Sequence, residues 1–319
     1  MKLIRTRAAF GILSFLLLSA CSNLMPAQAP QYSFEQAHTF GATALAFSAD
    51  GKTLASGGYQ GEILIWRVSP PELVGKLLGH HDSVRAMEYI AQDKMVSAGD
   101  DGHIILWDTI TLKPLVEVKS GAVTSMAATS DLLITGHRDG WLRSWRLPDL
   151  KLMSEVSLQN GILSLAQHGD TTAVATNSGR VEIYNSQLEL LRQLQTSGAA
   201  AHDLRFSPDG STLAGGGWFR MLLWDVNSGK YQSVPTEHNG LLTSVDFSPD
   251  GKHLVSLGRH TDSAIRVWRR DDLSVERRYQ AHQLCGAMIR FSPDGRLMAS
   301  ASDDESVRLY DLTLPYQPQ

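Results

Sequence analysis

The feature that most constrains this chain is a unit of about forty residues that recurs seven times. An aromatic residue followed by a polar one closes each copy: Trp66-Arg67, Trp107-Asp108, Trp145-Arg146, Tyr184-Asn185, Trp224-Asp225, Trp268-Arg269 and Tyr310-Asp311. These ends are spaced 41, 38, 39, 40, 44 and 42 residues apart. The clearest copy runs from Gly79 to Asp108. Its strand formers fall in Val84 to Tyr89, Lys94 to Ala98 and Ile104 to Trp107, separated by the turns Ala91-Gln92-Asp93 and Asp100-Asp101-Gly102. A fourth run, Pro114 to Val118, precedes the next copy. Each period thus supplies a four-stranded antiparallel sheet with apolar residues on both faces. Such a sheet cannot stand alone in water, and stacking copies against one another buries both faces.

Four polar residues of this copy fit together chemically. Trp107 offers only an N–H donor and Asp101 only acceptors, whereas Ser97 and His80 can each do both, so a Trp to Ser to His to Asp relay satisfies every member. With this set in place, the unit resembles the WD-repeat (Trp-Asp repeat) β-propeller family. In that family Gly-His opens the unit, Trp-Asp closes its third strand, and the four side chains form a structural network inside each blade. The resemblance implies an all-β fold: a seven-bladed β-propeller of four-stranded antiparallel sheets over residues 32–319. Because the chain stops soon after Tyr310-Asp311, the N-terminal run from Tyr32 is expected to supply the last fourth strand and close the ring.

The full relay is expected twice, as His80, Ser97, Asp101 and Trp107 and as His238, Ser256, Asp262 and Trp268. The first unit has Gln60 where Asp is expected, the seventh ends in Tyr310, and the third has Lys119 where the His should be. The fourth lacks His and Trp, and the fifth lacks the His and places Gly215-Gly216-Gly217 around the Ser position. Blades three to five are therefore expected to lean on packing against their neighbours. Ser48-Ala49-Asp50-Gly51 and three Ser-Pro-Asp-Gly segments, beginning at Ser207, Ser248 and Ser292, read as tight turns rather than ligands.

Residues 1–20 lie outside this pattern. Lys2, Arg5 and Arg7 precede the apolar run Ala8 to Leu18, which is too short to span a bilayer comfortably and reads as an export signal. Leu18-Ser19-Ala20-Cys21 resembles the lipobox of bacterial lipoproteins. That resemblance makes Cys21 the lipidated N-terminus (palmitate among its acyl groups), residues 21–31 a tether, and, with Ser22 rather than Asp following, the outer membrane the destination. The expected location is lipid-anchored and facing the periplasm; a soluble periplasmic or secreted form is the alternative. With Cys21 acylated, Cys285 is the one thiol left and is expected to pack near the start of a strand.

Removal of residues 1–20 takes three basic residues from the 29 Lys and Arg, leaving 26 against 33 Asp and Glu, a formal charge of −7. That balance disfavours nucleic acid. Ser97, His80 and Asp101 do not read as a hydrolase triad, because Ser97 is mid-strand and no Gly-x-Ser-x-Gly occurs. No His-Glu-x-x-His or Cys-x-x-Cys spacing suggests a metal, and neither cofactor nor catalytic residue is expected. The inner strands show no converging set of acidic or amide side chains of the kind a channel cofactor would need.

Binding is the better-supported role. In the family, the loops from the fourth strand to the next unit and from second to third strand share one rim, which meets partners. In the fifth unit the latter loop is Trp218-Phe219-Arg220, of the residue types that dominate interface hot spots, and Leu241, Arg259 and His260 join it from the sixth. Trp141, in a strand, is expected to pack within its blade. The expected protein is a non-catalytic, lipid-anchored scaffold, monomeric apart from its protein partners in the bacterial envelope and touching the membrane only through lipid. An enzyme or small-ligand sensor using the central channel is the alternative.

Overall fold

The structure, a computed structural model, describes residues 27–259, 262–280 and 282–317. The export signal, Cys21 and His260 lie outside the described residues. Among the described residues, twenty-eight strands form seven four-stranded antiparallel sheets, arranged as a seven-bladed β-propeller. The copy that defines the repeat folds as Val84–Ala91, Lys94–Gly99, His103–Asp108 and Lys113–Lys119, from the channel outward.

Burial follows from the two-faced sheets. One apolar cluster joins Ile63, Ile65 and Leu77 of blade one to Val84, Met95 and Trp107 of blade two, and another joins Leu64 and Trp66 of blade one to Val307 and Leu309 of blade seven. Each of these closing tryptophans therefore seals the joint with the preceding blade. Trp107 is fully buried, an aromatic burial worth roughly 2–3 kcal/mol.

The N-terminal strand Tyr32–Phe34 pairs antiparallel with Val307–Asp311 and completes blade seven, in the register Tyr32 to Leu309 and Phe34 to Val307. Phe34 then stacks on Trp66 of blade one, with ring centroids 4.3 Å apart. The stretch read as a tether is partly docked on the propeller. Gln28 donates its N–H to Arg278 O at 2.9 Å, accepts from Gln280 N at 2.8 Å, and is buried. Cys285 is half-buried immediately before the strand Gly286–Phe291.

The turns behave as their residues dictate. Ser48, Ser207, Ser248 and Ser292 each donate through Oγ to the Asp two residues on, and each accepts the N–H that starts the second strand. Trp141 lies half-buried on its blade under Arg143, whose guanidinium is 5.4 Å from the ring centroid.

Candidate functional site

Three sets of polar and aromatic residues stand out: the relays inside the blades, the central channel, and one rim. In blade two the relay is complete. Trp107 Nε1 donates to Ser97 Oγ at 2.7 Å, Ser97 Oγ lies 2.7 Å from His80 Nε2, and His80 Nδ1 lies 2.8 Å from Asp101 Oδ2. A carboxylate can only accept, so Nδ1 carries the proton and Nε2 accepts from serine. Burial opposes the Asp101 charge, but the bond from His80 and the N–H groups of His103 and His81 bring its carboxyl down to about 2. Blade six assembles its four residues differently. Trp268 Nε1 and His238 Nε2 both lie 2.8 Å from Ser256 Oγ, but Arg266 wedges in, its Nη1 2.6 Å from His238 Nδ1. The His238 to Asp262 step stretches to 3.4 Å.

The incomplete units are rebuilt from other positions. In blade one Glu62 takes the role expected of residue 60, its Oε1 lying 2.8 Å from His38 Nδ1. In blade three His137 lies 2.9 Å from Thr135 Oγ1, which also accepts from Trp145 Nε1 at 2.9 Å. Blade three, expected to lean on packing against its neighbours, thus also has a polar chain of its own. The reason is steric. The strand position of His137 is glycine in blades one and six, where a Cβ on Gly58 would come within 2.5 Å of His38 Nδ1 and one on Gly258 within 2.7 Å of His238 Nδ1. Where the loop brings Lys119 instead of histidine, that space is filled from the strand. In blade four Tyr184 OH donates to Glu182 at 2.8 Å, and in blade five Trp224 Nε1 donates to the backbone of Gln195 at 2.7 Å. Tyr310 reaches Ser300 only at 3.4 Å. None of these serines or histidines is exposed, so the relays hold blades together and face no substrate.

The central channel differs most from expectation. The inner strands of blades three to seven are stitched by a girdle of side chains, each accepting an N–H from the next blade. Leu165 N donates to Ser125 Oγ (2.9 Å), Leu204 N to Ser164 Oγ (2.7 Å), Val245 N to Asp203 Oδ2 (3.1 Å) and Ile289 N to Ser244 Oγ (3.0 Å). Beside it five charged groups converge from four blades: Glu88, Asp203, Arg205, Asp246 and Arg290. Arg290 grips Asp203 with two bonds of 2.9 Å and also donates to Ser244 Oγ at 2.9 Å. Burial works against the Asp203 charge, but Arg290 and Arg205 hold its carboxyl below the usual range. Burial pushes Glu88 and Asp246 up despite the same two guanidinium groups. The expectation that no such set lines the inner strands is therefore wrong. Among the described residues, no group of three or more His, Cys, Asp or Glu is placed to hold a metal ion.

The channel mouth is ringed by ion pairs. Arg259 Nη2 lies 3.3 Å from Asp303, Tyr59 OH donates to Asp303 at 3.1 Å, and Arg85 over the Tyr59 ring pairs with Asp100 at 2.6 Å. Arg138 closes on the other oxygen of Asp100. Arg259 thus shares the rim with the expected partner-binding residues but turns inward to Asp303.

Trp218 and Phe219 form the tip of the hairpin between Thr212–Gly217 and Arg220–Asp225. They do not fold into local core: they are 54% and 53% exposed, with ring centroids 6.0 Å apart. The loop is pinned to blade six. Phe219 N donates to Gly240 O at 2.8 Å, Trp218 bridges to the half-buried Leu241, and Arg259 N donates to Leu241 O at 2.8 Å. Arg220 is exposed and lies along Ser233 of the outer strand. Phe219 has φ +60°, where the equivalent hairpins of blades one to four use Gly61, Gly102, Gly140 and Gly179. A left-handed L-residue costs roughly 1–2 kcal/mol, so an aromatic here is not the choice of the backbone. Phe40, 66% exposed with φ +67°, and the exposed Leu284 stand on the same rim in blades one and seven.

A family model described as WD domain, G-beta repeat matches residues 28–67, 71–108, 229–269 and 274–311. The chain carries WD repeats. The matched segments hold the closing strands of blades one, two, six and seven of this WD-repeat propeller, while the relays rebuilt around His137, Tyr184 and Trp224 fall between residues 108 and 229. Periodic tryptophan protein 2 of Arabidopsis thaliana is 24% identical over 303 residues, 85% of this chain and 33% of the relative. Striatin of Homo sapiens is 25% identical over 297 residues, 88% and 35% of the two chains. Apoptotic protease-activating factor 1 of Homo sapiens is 28% identical over 228 residues, 66% and 18%. The WD-repeat propeller spans about a third or less of the length of these curated relatives. Among its described residues no helix is long and apolar enough to cross a membrane.

Proposed function

We propose that this WD-repeat propeller is a non-catalytic platform that binds another protein of the bacterial cell envelope through the rim of blades five and six, and that acylated Cys21 anchors it to the outer membrane, facing the periplasm. One observation carries the binding reading: Trp218 and Phe219 are half-exposed, fixed by backbone bonds to blade six, and occupy a hairpin tip that blades one to four build with glycine. Rigid exposed aromatics lose little entropy on docking and dominate interface energies. Arg220 and Leu241 border them.

The anchoring reading rests on Leu18-Ser19-Ala20-Cys21 after a basic and apolar leader. More than one acyl chain, at roughly 0.8 kcal/mol per buried methylene, holds a protein stably on a bilayer. Cys21→Ser moves the protein from the membrane fraction to the soluble one; retention of the variant on the membrane contradicts the anchor. Photo-crosslinking in cells from position 218 or 220 captures one recurrent envelope protein. Absence of any specific adduct from either position contradicts the rim.

A further inference from the structure

Two charged side chains at the waist of the channel find no hydrogen-bond partner among the described residues. Arg205 brings Nη2 to 3.6 Å from Asp203 Oδ1 and Nε to 4.0 Å from Asp246 Oδ1, both beyond hydrogen-bonding reach. Glu88, across the channel on blade two, forms neither a hydrogen bond nor an ion pair among the described residues, although Arg205 is the cation that acts on it most strongly. The other three charges of the cluster are satisfied. Asp203 takes Arg290, Ser244 and Val245 N, and Asp246 accepts Phe247 N at 3.0 Å and Phe291 N at 2.8 Å. A half-buried guanidinium and a half-buried carboxylate that make no direct hydrogen bond are poorly satisfied, and both line the place where two cavities meet. One, of about 230 Å³, opens toward Tyr59, His202 and Arg259; the other, of about 290 Å³, opens toward the Pro249 and Pro293 turns.

We propose that this waist binds a small zwitterion of the α-amino-acid class, with its carboxylate on the Arg205 guanidinium and its ammonium between Glu88 and Asp246. The unused groups select this chemistry. A simple amine would leave Arg205 without an acceptor, and a simple carboxylate would join three carboxylates already facing two guanidinium groups. A zwitterion adds no net charge and supplies both missing partners. Its ammonium also relieves the burial that holds Glu88 and Asp246 toward their neutral forms. Fork-like recognition of a carboxylate suits arginine in particular. The cavity is of amino-acid size, smaller than the pockets of roughly 300–1,000 Å³ that hold drug-sized ligands. The site shares no residue with the Trp218–Phe219 rim, so it stands or falls independently of the platform reading.

Calorimetric titration of the full chain with glycine, L-alanine, L-lysine and L-glutamate, and with the half-ligands methylamine and acetate, tests the assignment. At least one amino acid binds at one site per chain, and both half-ligands bind about tenfold or more weaker. Glu88→Gln and Arg205→Gln each weaken the amino acid about tenfold or more, with the circular dichroism spectrum unchanged. Failure of every amino acid to bind, methylamine or acetate binding as well as the amino acid, or affinity unchanged in folded variants overturns the proposal. Should either variant not fold, the half-ligand comparison on the unaltered chain decides.

Discussion

Nδ1 of His38 lies 2.8 Å from Oε1 of Glu62, so blade one completes its polar chain with a carboxylate two residues beyond the position that blade two fills with Asp101. The imidazole is buried, and among the described residues Nδ1 has no other acceptor. Glu62→Ala strands that N–H and lowers stability by about 1–3 kcal/mol, whereas Glu62→Gln keeps an acceptor and loses about 1 kcal/mol or less. Adding Gln60→Asp to Glu62→Ala recovers part of the loss. Urea midpoints at constant slope read all three.

Histidine 137 gives the fold a dependence on mild acid. Burial first, then the nearby Arg143, hold its pKa down to about 4, from 6.5. Between these values the unfolded chain binds a proton that the folded chain refuses, so the stability that neutral His137 contributes is full above about pH 6.5 and falls as pH drops toward 4. The loss reaches about 2–3 kcal/mol, and His137→Gln flattens this part of the pH profile. Asp101 acts in a lower window. Its stabilisation is present above the ordinary carboxylate value of 3.8 and is lost as pH falls through about 2. Chemical denaturation at half-unit pH steps separates the two.

Restoring a missing relay residue does not always help. Gly215 stands where blade two has Ser97, but a Cβ there would meet Leu204 Cδ2 at 3.0 Å and Ala201 Cβ at 3.3 Å. Trp224 already donates to Gln195 O, so a hydroxyl gains nothing to offset the crowding. Gly215→Ser is expected to destabilise by about 1–3 kcal/mol although it brings the sequence nearer the repeat pattern. A raised thermal midpoint would contradict this.

Ring closure is testable through Phe34, which lies in the strand on Val307–Asp311 and stacks on Trp66. Phe34→Ala lowers stability by about 1–3 kcal/mol. It also speeds amide exchange along Val307–Asp311 before the other blades respond.

How much of this was legible depends on how local each signal is. Strands, turns and blade number were readable because each unit closes its own hairpins; the copy at Gly79 to Asp108 folds within two residues of its expected strand limits. The substitutes Glu62 and His137 were not, because each acts through space, one from just before a strand and the other from the end of one, at a position that the repeat does not reserve for it. The channel charges were hidden for another reason. Every inner strand carries a bulge near its start, as between Val84 and Ala86 or Leu242 and Ser244, so strict alternation misjudges which residues face inward. Glu88, Arg205, Asp246 and Arg290 occupy one equivalent strand position, but their sign changes from blade to blade and blades one, three and four carry alanine there, so no single residue type marks it. On the rim, Trp218 and Phe219 were visible as a departure from Asp-Asp-Gly, but the inward turn of Arg259 depends on Asp303, more than forty residues away.

The most direct test of the platform is the affinity of the captured envelope protein for the Trp218→Ala and Phe219→Ala double variant, with Leu115→Ala on the exposed outer strand of blade two as control. Loss of two hot-spot aromatics predicts binding weakened about thirtyfold or more, with the control unchanged. Equal affinity for the unaltered chain and the double variant would contradict the account.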